Sequence, residues 1–339
     1  MAVTGINGFG RFSLHLLKWW LDRRNTSNFS IEFINDDVLS LEQACDIITS
    51  DPYVRFDAYQ IKRSADALLF TDANGATQTI AYTNAPLAAI PWRGEPDVVF
   101  ECSGKATEAA RCRTYLTGRT QLVLISATSW DADATLVYGF NHDAFTPDRH
   151  RIVSYGSCTV NAYVPLAQWV NDRFGIVDSD VNVVHNIVLH RLSQHNTLQR
   201  KFCTLERSAP LLLPFLDESR NFIVTYSVVP WAGVSMIDFR FRLARPAGRE
   251  QIEAALAEAF ASGGGLEGLY RLVPHDEGPE AHQCTWASAV LVADGIKVRG
   301  DNVYLAGYFD TENSINRFFD LANAVVPRLG IRSPVASVA

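Results

Sequence analysis

The chain has 339 residues, of which 47% are hydrophobic and 20% charged, and its net charge at pH 7 is −7. This composition is typical of a globular protein with a full hydrophobic core, and the length predicts two domains or one large one. The sequence has neither the clustered basic face that nucleic acid or an anionic membrane requires nor a run of roughly 20 apolar residues. We therefore expect no nucleic acid and no membrane among its partners.

The six cysteines stand at positions 45, 102, 112, 158, 203 and 284, with no CxxC pair and no regular spacing. This pattern indicates neither a metal site nor a disulfide framework. The first residues, MAVTGINGFGR, lack the charged and apolar regions of a signal peptide. We expect reduced thiols in a cytoplasmic protein that holds no metal.

The first half of the chain alternates short apolar strands with helical segments. The segment RFSLHLLKWWLDRR is apolar over more than half of a helix surface, which predicts a helix covered on several sides. Such alternation is typical of a doubly wound α/β layer. The predicted strands are Ala2–Asn7, Ser30–Asn35, Asp97–Cys102, Gln121–Ser126 and Arg151–Ser154.

A nucleotide site is predicted where the first strand meets this helix. GINGFGRFS places Gly8 and Gly10 at the mouth of the helix, where glycines allow a pyrophosphate to approach the helix N-terminus. The second strand ends in INDD, so Asp36 can accept hydrogen bonds from an adenosine ribose, and Asp37 adds a second negative charge against a 2′-phosphate. NAD is therefore favoured over NADP. The alternative is that the glycines only turn a strand into a helix.

The second half of the chain has a different pattern. VSMIDFRFRL alternates strictly between apolar and polar residues, which is the period of a half-solvated antiparallel sheet. GREQIEAALAEAF and the tail SINRFFDLANAVVPRL predict helices. TWASAVLVADGIKVRGDNVYLAGYF predicts two strands around a turn at Asp294–Gly295.

One cysteine raises a chemical question. Cys158 lies in SYGSCTVNAYVP, and its local sequence fits both a nucleophile and a buried core thiol. A nucleophilic thiol needs a base or a cationic partner. His185, in VVHN, is a candidate for that base, although a histidine on an apolar strand also fits a core position.

Several motifs, in this order, resemble those of the glyceraldehyde-3-phosphate dehydrogenase family, including its erythrose-4-phosphate branch. They are GINGFGR, IND, DVVFECSG, LISATSWDAD, VYGFNHD, SCTVN, a VP followed by VS and ID, and FDTEN. The resemblance implies an α/β protein with a Rossmann NAD-binding domain, residues 1–156 with 315–339. It also implies an α+β catalytic domain with a mainly antiparallel sheet, residues 157–314. Family members are homotetramers, so we expect a homo-oligomer, a tetramer or a dimer.

The resemblance assigns roles to individual residues. It makes Cys158 the nucleophile that forms a thiohemiacetal and then a thioester, with the backbone N–H of Cys158 as a candidate oxyanion donor, and it makes His185 the base. In FDTEN, Thr311 replaces the asparagine that fixes the nicotinamide carboxamide in the family. The sequence therefore does not determine which face of the nicotinamide ring takes part in hydride transfer. The implied NAD contacts are Gly8, Gly10, Arg11, Phe12, Asp36, Ser103, Gly104, Ser126 and Thr311.

The substrate positions depart from the family. Val188 and Val228 stand where the family holds the substrate phosphate with a threonine and an arginine, whereas Ser157 and Thr159 are retained in the pocket for inorganic phosphate. The threonine–glycine pair of that pocket aligns loosely with Asp217 and Glu218.

The loop after His185 is cationic and matches the family poorly. It is either a solvated or subunit-facing surface, or it supplies Arg191 or Arg207 to a substrate carboxylate. The leading prediction is an NAD-dependent aldehyde dehydrogenase with an altered substrate. The alternatives are a phosphorylating glyceraldehyde-3-phosphate dehydrogenase and a catalytically weak, regulatory NAD-binding protein.

Overall fold

A computed structural model describes residues 1–187, 198–230, 233–309 and 311–331, without the side chains of Thr311 and Glu312. The chain forms two compact units. The first contains Met1–Gly156 and the C-terminal residues from Phe318, and the second contains Ser157–Arg317.

The first unit is built on a nine-stranded sheet in the order β3-β4-β5-β2-β1-β6-β7-β9-β8. Pairing is parallel from β5 to β8, and β3 and β4 add an antiparallel edge. The strands are β1 (Ala2–Asn7), β2 (Phe29–Asn35), β3 (Tyr59–Arg63), β4 (Ala67–Asp72), β5 (Thr77–Thr83), β6 (Val98–Glu101), β7 (Leu122–Ile125), β8 (Ala134–Thr135) and β9 (Ile152–Ser154).

The helices of this unit cover an apolar sheet. The central strands β6 and β7 are buried at every position, as expected for a parallel sheet covered on both faces. Leu14, Leu17 and Trp20 of the first helix are fully or almost fully buried. The helices are α1 (Arg11–Arg23), α2 (Leu41–Ser50) and α3 (Ala109–Cys112). The predicted doubly wound domain is therefore confirmed as the fold of this unit.

The second unit contains a mainly antiparallel sheet in the order β11-β12-β10-β13-β17-β15-β14, with β16 paired to β17. Among the described strands of this unit, only β10–β12 and β14–β15 pair in parallel. Its strands are β10 (Ile176–His185), β11 (Gln199–Arg200), β12 (Phe222–Val228), β13 (Ser235–Leu243), β14 (Tyr270–Val273), β15 (Ala289–Val292), β16 (Lys297–Arg299) and β17 (Asn302–Phe309). Its helices are α4 (Cys158–Phe174), α5 (Thr204–Leu212) and α6 (Arg249–Phe260), and α7 (Thr311–Val325) begins in it.

The alternation predicted for β13 is confirmed, because Ile237, Phe239 and Phe241 are buried while the residues between them are partly exposed. The prediction of two strands around Asp294–Gly295 was incomplete. A short 3-10 helix, Ala293–Gly295, follows β15, and the chain then turns again at Gly300 between β16 and β17. Gly300 has a φ of +60°, which glycine adopts without strain.

Helix α4 carries a proline within its second turn. Pro165 has no N–H to donate to the carbonyl of Asn161. The hydroxyl of Tyr270 compensates: it lies 3.3 Å from that carbonyl and 3.0 Å from the carbonyl of Ala162, and it accepts a bond of 3.1 Å from the N–H of Leu166. Helix α4 therefore stays continuous from Cys158 to Phe174.

Candidate active site and nucleotide site

Cys158 is the first residue of α4, a helix of 17 residues. Ser157 is the N-cap, and its Oγ accepts a hydrogen bond of 3.3 Å from the N–H of Val160. The N-terminus of a helix carries a partial positive charge, which stabilises a thiolate placed there. The local sequence therefore puts the thiol where an anionic sulfur is favoured.

His185 ends β10 and faces this thiol. Its Nε2 lies 3.4 Å from Cys158 Sγ, and its Nδ1 lies 2.8 Å from the backbone oxygen of Asn186. Because a carbonyl oxygen can only accept, a neutral imidazole here carries its proton on Nδ1. Nε2 is then free of a proton and can take the one on the thiol. The structure thus brings the two predicted catalytic residues together.

The surroundings of His185 fix its ring. Tyr226 and Phe309 lie on either side, with ring centroids 5.6 and 5.5 Å from that of the imidazole. Asn186, which holds Nδ1, is in turn bonded to the buried Ser235. These contacts hold the imidazole with Nε2 toward Cys158.

A cluster of hydroxyl groups lies at the start of α4. Thr204 Oγ1 donates a bond of 3.1 Å to Ser157 Oγ, and Thr159 Oγ1 lies 3.1 Å from the same oxygen. Thr159 is almost fully buried and also lies 3.7 Å from Cys203 Sγ. The two predicted residues Ser157 and Thr159 are therefore adjacent, and Thr204 joins them from the first turn of α5.

Sequence reasoning did not identify Thr204, and it aligned the threonine–glycine pair of the family's phosphate pocket loosely with Asp217 and Glu218. The structure places Asp217 in a turn, where its Oδ1 accepts bonds from the N–H and hydroxyl of Ser219. Those bonds lower the pKa of Asp217. No local motif marks Thr204, since only the packing of α5 brings it to Ser157.

The remaining substrate positions are placed only in part. Val228 is 7% exposed at the end of β12 and pairs with His185 across the sheet. Arg207 lies exposed on α5. Val188 and Arg191 lie outside the described residues, and so does the side chain of Thr311.

The glycine loop of the first unit has two different roles. Gly8 has a φ of +92°, and a Cβ atom there would lie 2.4 Å from the backbone of Ser103. Gly10 has open space where its Cβ would be and is the N-cap of α1, with no side chain capping that helix. Gly8 is thus required by the neighbouring loop, whereas Gly10 leaves the N-terminus of α1 accessible to an anion.

Asp36 follows β2 and is 8% exposed. Its Oδ2 accepts a bond of 2.6 Å from the N–H of Phe9, and its Oδ1 accepts bonds of 2.8 Å from the N–H groups of Val38 and Leu39. The carboxylate is therefore held beside the glycine loop. Asp37 forms an ion pair with Lys105, with Nζ 2.7 and 2.8 Å from its two oxygens.

Other predicted contacts have structural partners of their own. The guanidinium of Arg11 lies 2.5 Å from Asp51 and over the ring of Tyr53. Phe12 packs edge-on against Tyr155 and Phe318.

The loops after β6 and β7 carry the last predicted contacts. Ser103 binds the buried Glu101 through its N–H and hydroxyl, and Gly104 has a φ of +66° with open space beside it. Ser126 follows β7 and is half-buried. Of these residues, Gly104 leaves open space in which a ligand could lie.

No group of three or more histidine, cysteine or acidic side chains in the described ranges could hold a metal ion. Within those ranges, every helix is too short or too polar to cross a membrane.

Curated proteins resemble the chain over nearly its whole length. Glyceraldehyde-3-phosphate dehydrogenase 2 of Nostoc sp. is 27% identical over 97% of this chain and 99% of its own. The glyceraldehyde-3-phosphate dehydrogenase of Streptomyces coelicolor is 28% identical over 94% and 96%, and the cytosolic one of Dianthus caryophyllus is 28% identical over 91% and 93%. The chain is therefore similar to glyceraldehyde-3-phosphate dehydrogenases along nearly its whole length. No family model matches it.

This similarity confirms the predicted resemblance and supports NAD as the cofactor. The first unit fits NAD by its own chemistry. Gly10 and the uncapped N-terminus of α1 suit a pyrophosphate, and the Asp36 carboxylate suits a ribose.

Proposed function

We propose that the protein oxidises an aldehyde with NAD through a covalent intermediate on Cys158. The observation that carries this proposal is the 3.4 Å contact between Cys158 Sγ and His185 Nε2, with the opposite ring nitrogen fixed by the carbonyl of Asn186. A thiol, an oriented base and a helix N-terminus are the parts that an activated cysteine needs.

The chain's residues act as follows. His185 Nε2 takes the proton of Cys158, and the thiolate attacks the aldehyde carbon, forming the C–S bond of a thiohemiacetal. The N–H of Cys158 donates to the oxygen as negative charge develops on it. His185 gives its proton to this oxygen, which becomes the thiohemiacetal hydroxyl, and takes the proton back as the carbon loses a hydride. NAD, when bound, supplies the acceptor for that hydride and its two electrons. The product on Cys158 is a thioester, which phosphate or water opens.

The proposed substrate has no phosphate at the position used by the family. Val228 is buried beside His185 and offers no hydrogen-bond donor from its side chain. A phosphate there would lose a charge-assisted hydrogen bond and still have to shed water.

A phosphorylating glyceraldehyde-3-phosphate dehydrogenase is the second candidate. The names of the relatives favour it, and so does the cluster of Ser157, Thr159 and Thr204 hydroxyls at the N-terminus of α4. The resemblance also leads us to propose a cytosolic homo-oligomer, a tetramer as in the family.

Replacement of the thiol tests this function. Cys158→Ser should abolish NAD reduction with every aldehyde that the wild type oxidises, while NAD affinity by calorimetry stays within about twofold. Cys45→Ser, in α2 of the first unit, is the matched control and should keep full turnover. Turnover that survives in Cys158→Ser would refute the covalent mechanism. Adding phosphate to the wild type decides whether phosphate accelerates thioester opening.

A further inference from the structure

Tyr226 lies beside the catalytic pair, on the inner face of the catalytic sheet. It is on β12, two residues before Val228, and pairs with the buried Val183 of β10. Successive residues of a strand point to opposite faces, so Tyr226, Val228 and His185 share one face. The ring of Tyr226 is 5.6 Å from that of His185, centroid to centroid.

The phenol of Tyr226 has no hydrogen-bond partner among the described residues, although the side chain is half-buried. Tyrosine hydroxyls usually find a partner when they are buried. Five other buried tyrosines each donate a hydrogen bond from the hydroxyl to a protein oxygen. They are Tyr82, Tyr115, Tyr163, Tyr270 and Tyr308. Tyr226 therefore keeps an unused donor next to the reactive thiol.

The charge state of this phenol limits what it can bind. Burial raises the pKa of Tyr226, and the thiols of Cys158 and Cys203 raise it further. The hydroxyl is therefore protonated and neutral at physiological pH.

We infer that Tyr226 is a substrate-contacting, specificity-determining residue, whose hydroxyl donates a hydrogen bond to an uncharged oxygen of the aldehyde held on Cys158. Together with Val228, it forms a neutral wall that selects a short hydroxy- or oxo-aldehyde over a phosphorylated one. A single neutral donor matches a hydroxyl or carbonyl oxygen. It does not supply the cation that a phosphate dianion requires. This inference rests on the proposed aldehyde oxidation.

The test compares Tyr226→Phe with the wild type on matched aldehydes. Lactaldehyde and 3-hydroxypropanal each carry one hydroxyl, and propanal is the same chain without it. We expect the wild type to prefer at least one hydroxyaldehyde over propanal. Tyr226→Phe should lower kcat/KM for that aldehyde by about 2- to 10-fold, the effect of one neutral hydrogen bond, and leave propanal unchanged. Tyr304→Phe, at a 39% exposed tyrosine on β17, is the control and should change neither value.

A second measurement separates substrate contact from damage to the catalytic pair. The rate of Cys158 alkylation by iodoacetamide should be the same in Tyr226→Phe and the wild type. An equal loss of kcat/KM on all three aldehydes, or no loss on any, overturns the inference while leaving the proposed function intact. If the wild type oxidises no aldehyde at all, the proposed function fails and the inference fails with it.

Discussion

Ser235 and Asn186 hold each other through two hydrogen bonds of 3.0 Å. The N–H of Asn186 donates to Ser235 Oγ, and this hydroxyl donates to Asn186 Oδ1. The carbonyl of the same asparagine accepts from His185 Nδ1. Ser235 is 1% exposed, so it supports the proposed base, His185, from inside the protein.

Ser235→Ala should therefore slow catalysis by loosening His185. We expect kcat to fall by about 3- to 30-fold, because the base then spends less time in line with the thiol. The rate of Cys158 alkylation should fall as well, while KM changes little. Ser288→Ala removes another almost fully buried hydroxyl of the same unit and serves as the control. An unchanged alkylation rate in Ser235→Ala would show that Asn186 holds the histidine without this serine.

Thiol reactivity should single out Cys158 at neutral pH. Burial raises the pKa of Cys102 and Cys112 to about 12 and that of Cys203 to about 11. It also raises the pKa of Cys45. A raised pKa leaves less thiolate at any lower pH, and the thiolate is the species that is alkylated.

The measurement is iodoacetamide labelling with peptide mapping from pH 6 to pH 9. Cys158 should be modified first across this range, and Cys203 should stay unmodified throughout it unless the protein unfolds. Labelling of Cys102 or Cys112 ahead of Cys158 in the folded protein would count against an activated thiolate.

Some strands and helices could be predicted from the sequence almost to the residue. The apolar run Ala2–Asn7 forms β1 with those bounds, and the predicted helix at residues 11–24 forms α1 one residue shorter. Local hydrophobic periodicity decides such elements. Cys158 and His185 could be singled out because motifs mark both.

Contacts between residues that are far apart in the chain could not be predicted from local sequence patterns. Thr204 reaches Ser157 across 47 residues, and Lys105 reaches Asp37 across 68. Tyr226 meets His185 only because β10 and β12 pair in parallel, with a long connection between them. The split of the last predicted strand into β16 and β17 was also missed, although Gly300–Asp301, the two-residue loop between the paired Arg299 and Asn302, is a turn signal in the sequence.

The ion pair of Lys105 with Asp37 reduces the contribution of Asp37 to the expected preference for NAD over NADP. A 2′-phosphate beside Asp36 meets a carboxylate, but the neighbouring negative charge of Asp37 is already compensated. NAD should still bind more tightly than NADP, by on the order of a hundredfold. Lys105→Ala should widen that ratio because it exposes the charge of Asp37, while Lys62→Ala, at an exposed lysine of β3, should not. Calorimetric titration of both cofactors measures the ratio. Equal affinities in the wild type would mean that Asp36 does not hold the ribose.

Val228 provides the sharpest test of the altered substrate. The wild type should use glyceraldehyde 3-phosphate less efficiently than a neutral hydroxyaldehyde, because no side-chain donor is present at this position. Val228→Arg adds a guanidinium and should raise kcat/KM for the phosphorylated aldehyde relative to the neutral one by about 10- to 150-fold, the range for one charge-assisted hydrogen bond.

Because Val228 is only 7% exposed, an arginine there needs space. The double variant Tyr226→Ala/Val228→Arg is therefore made in parallel, since the smaller alanine leaves room for the arginine side chain. Thermal unfolding identifies variants that no longer fold, and Val228→Leu controls for the added bulk. If the wild type already prefers glyceraldehyde 3-phosphate, and both arginine variants leave that preference unchanged, then another group binds the phosphate and the altered-substrate proposal is wrong.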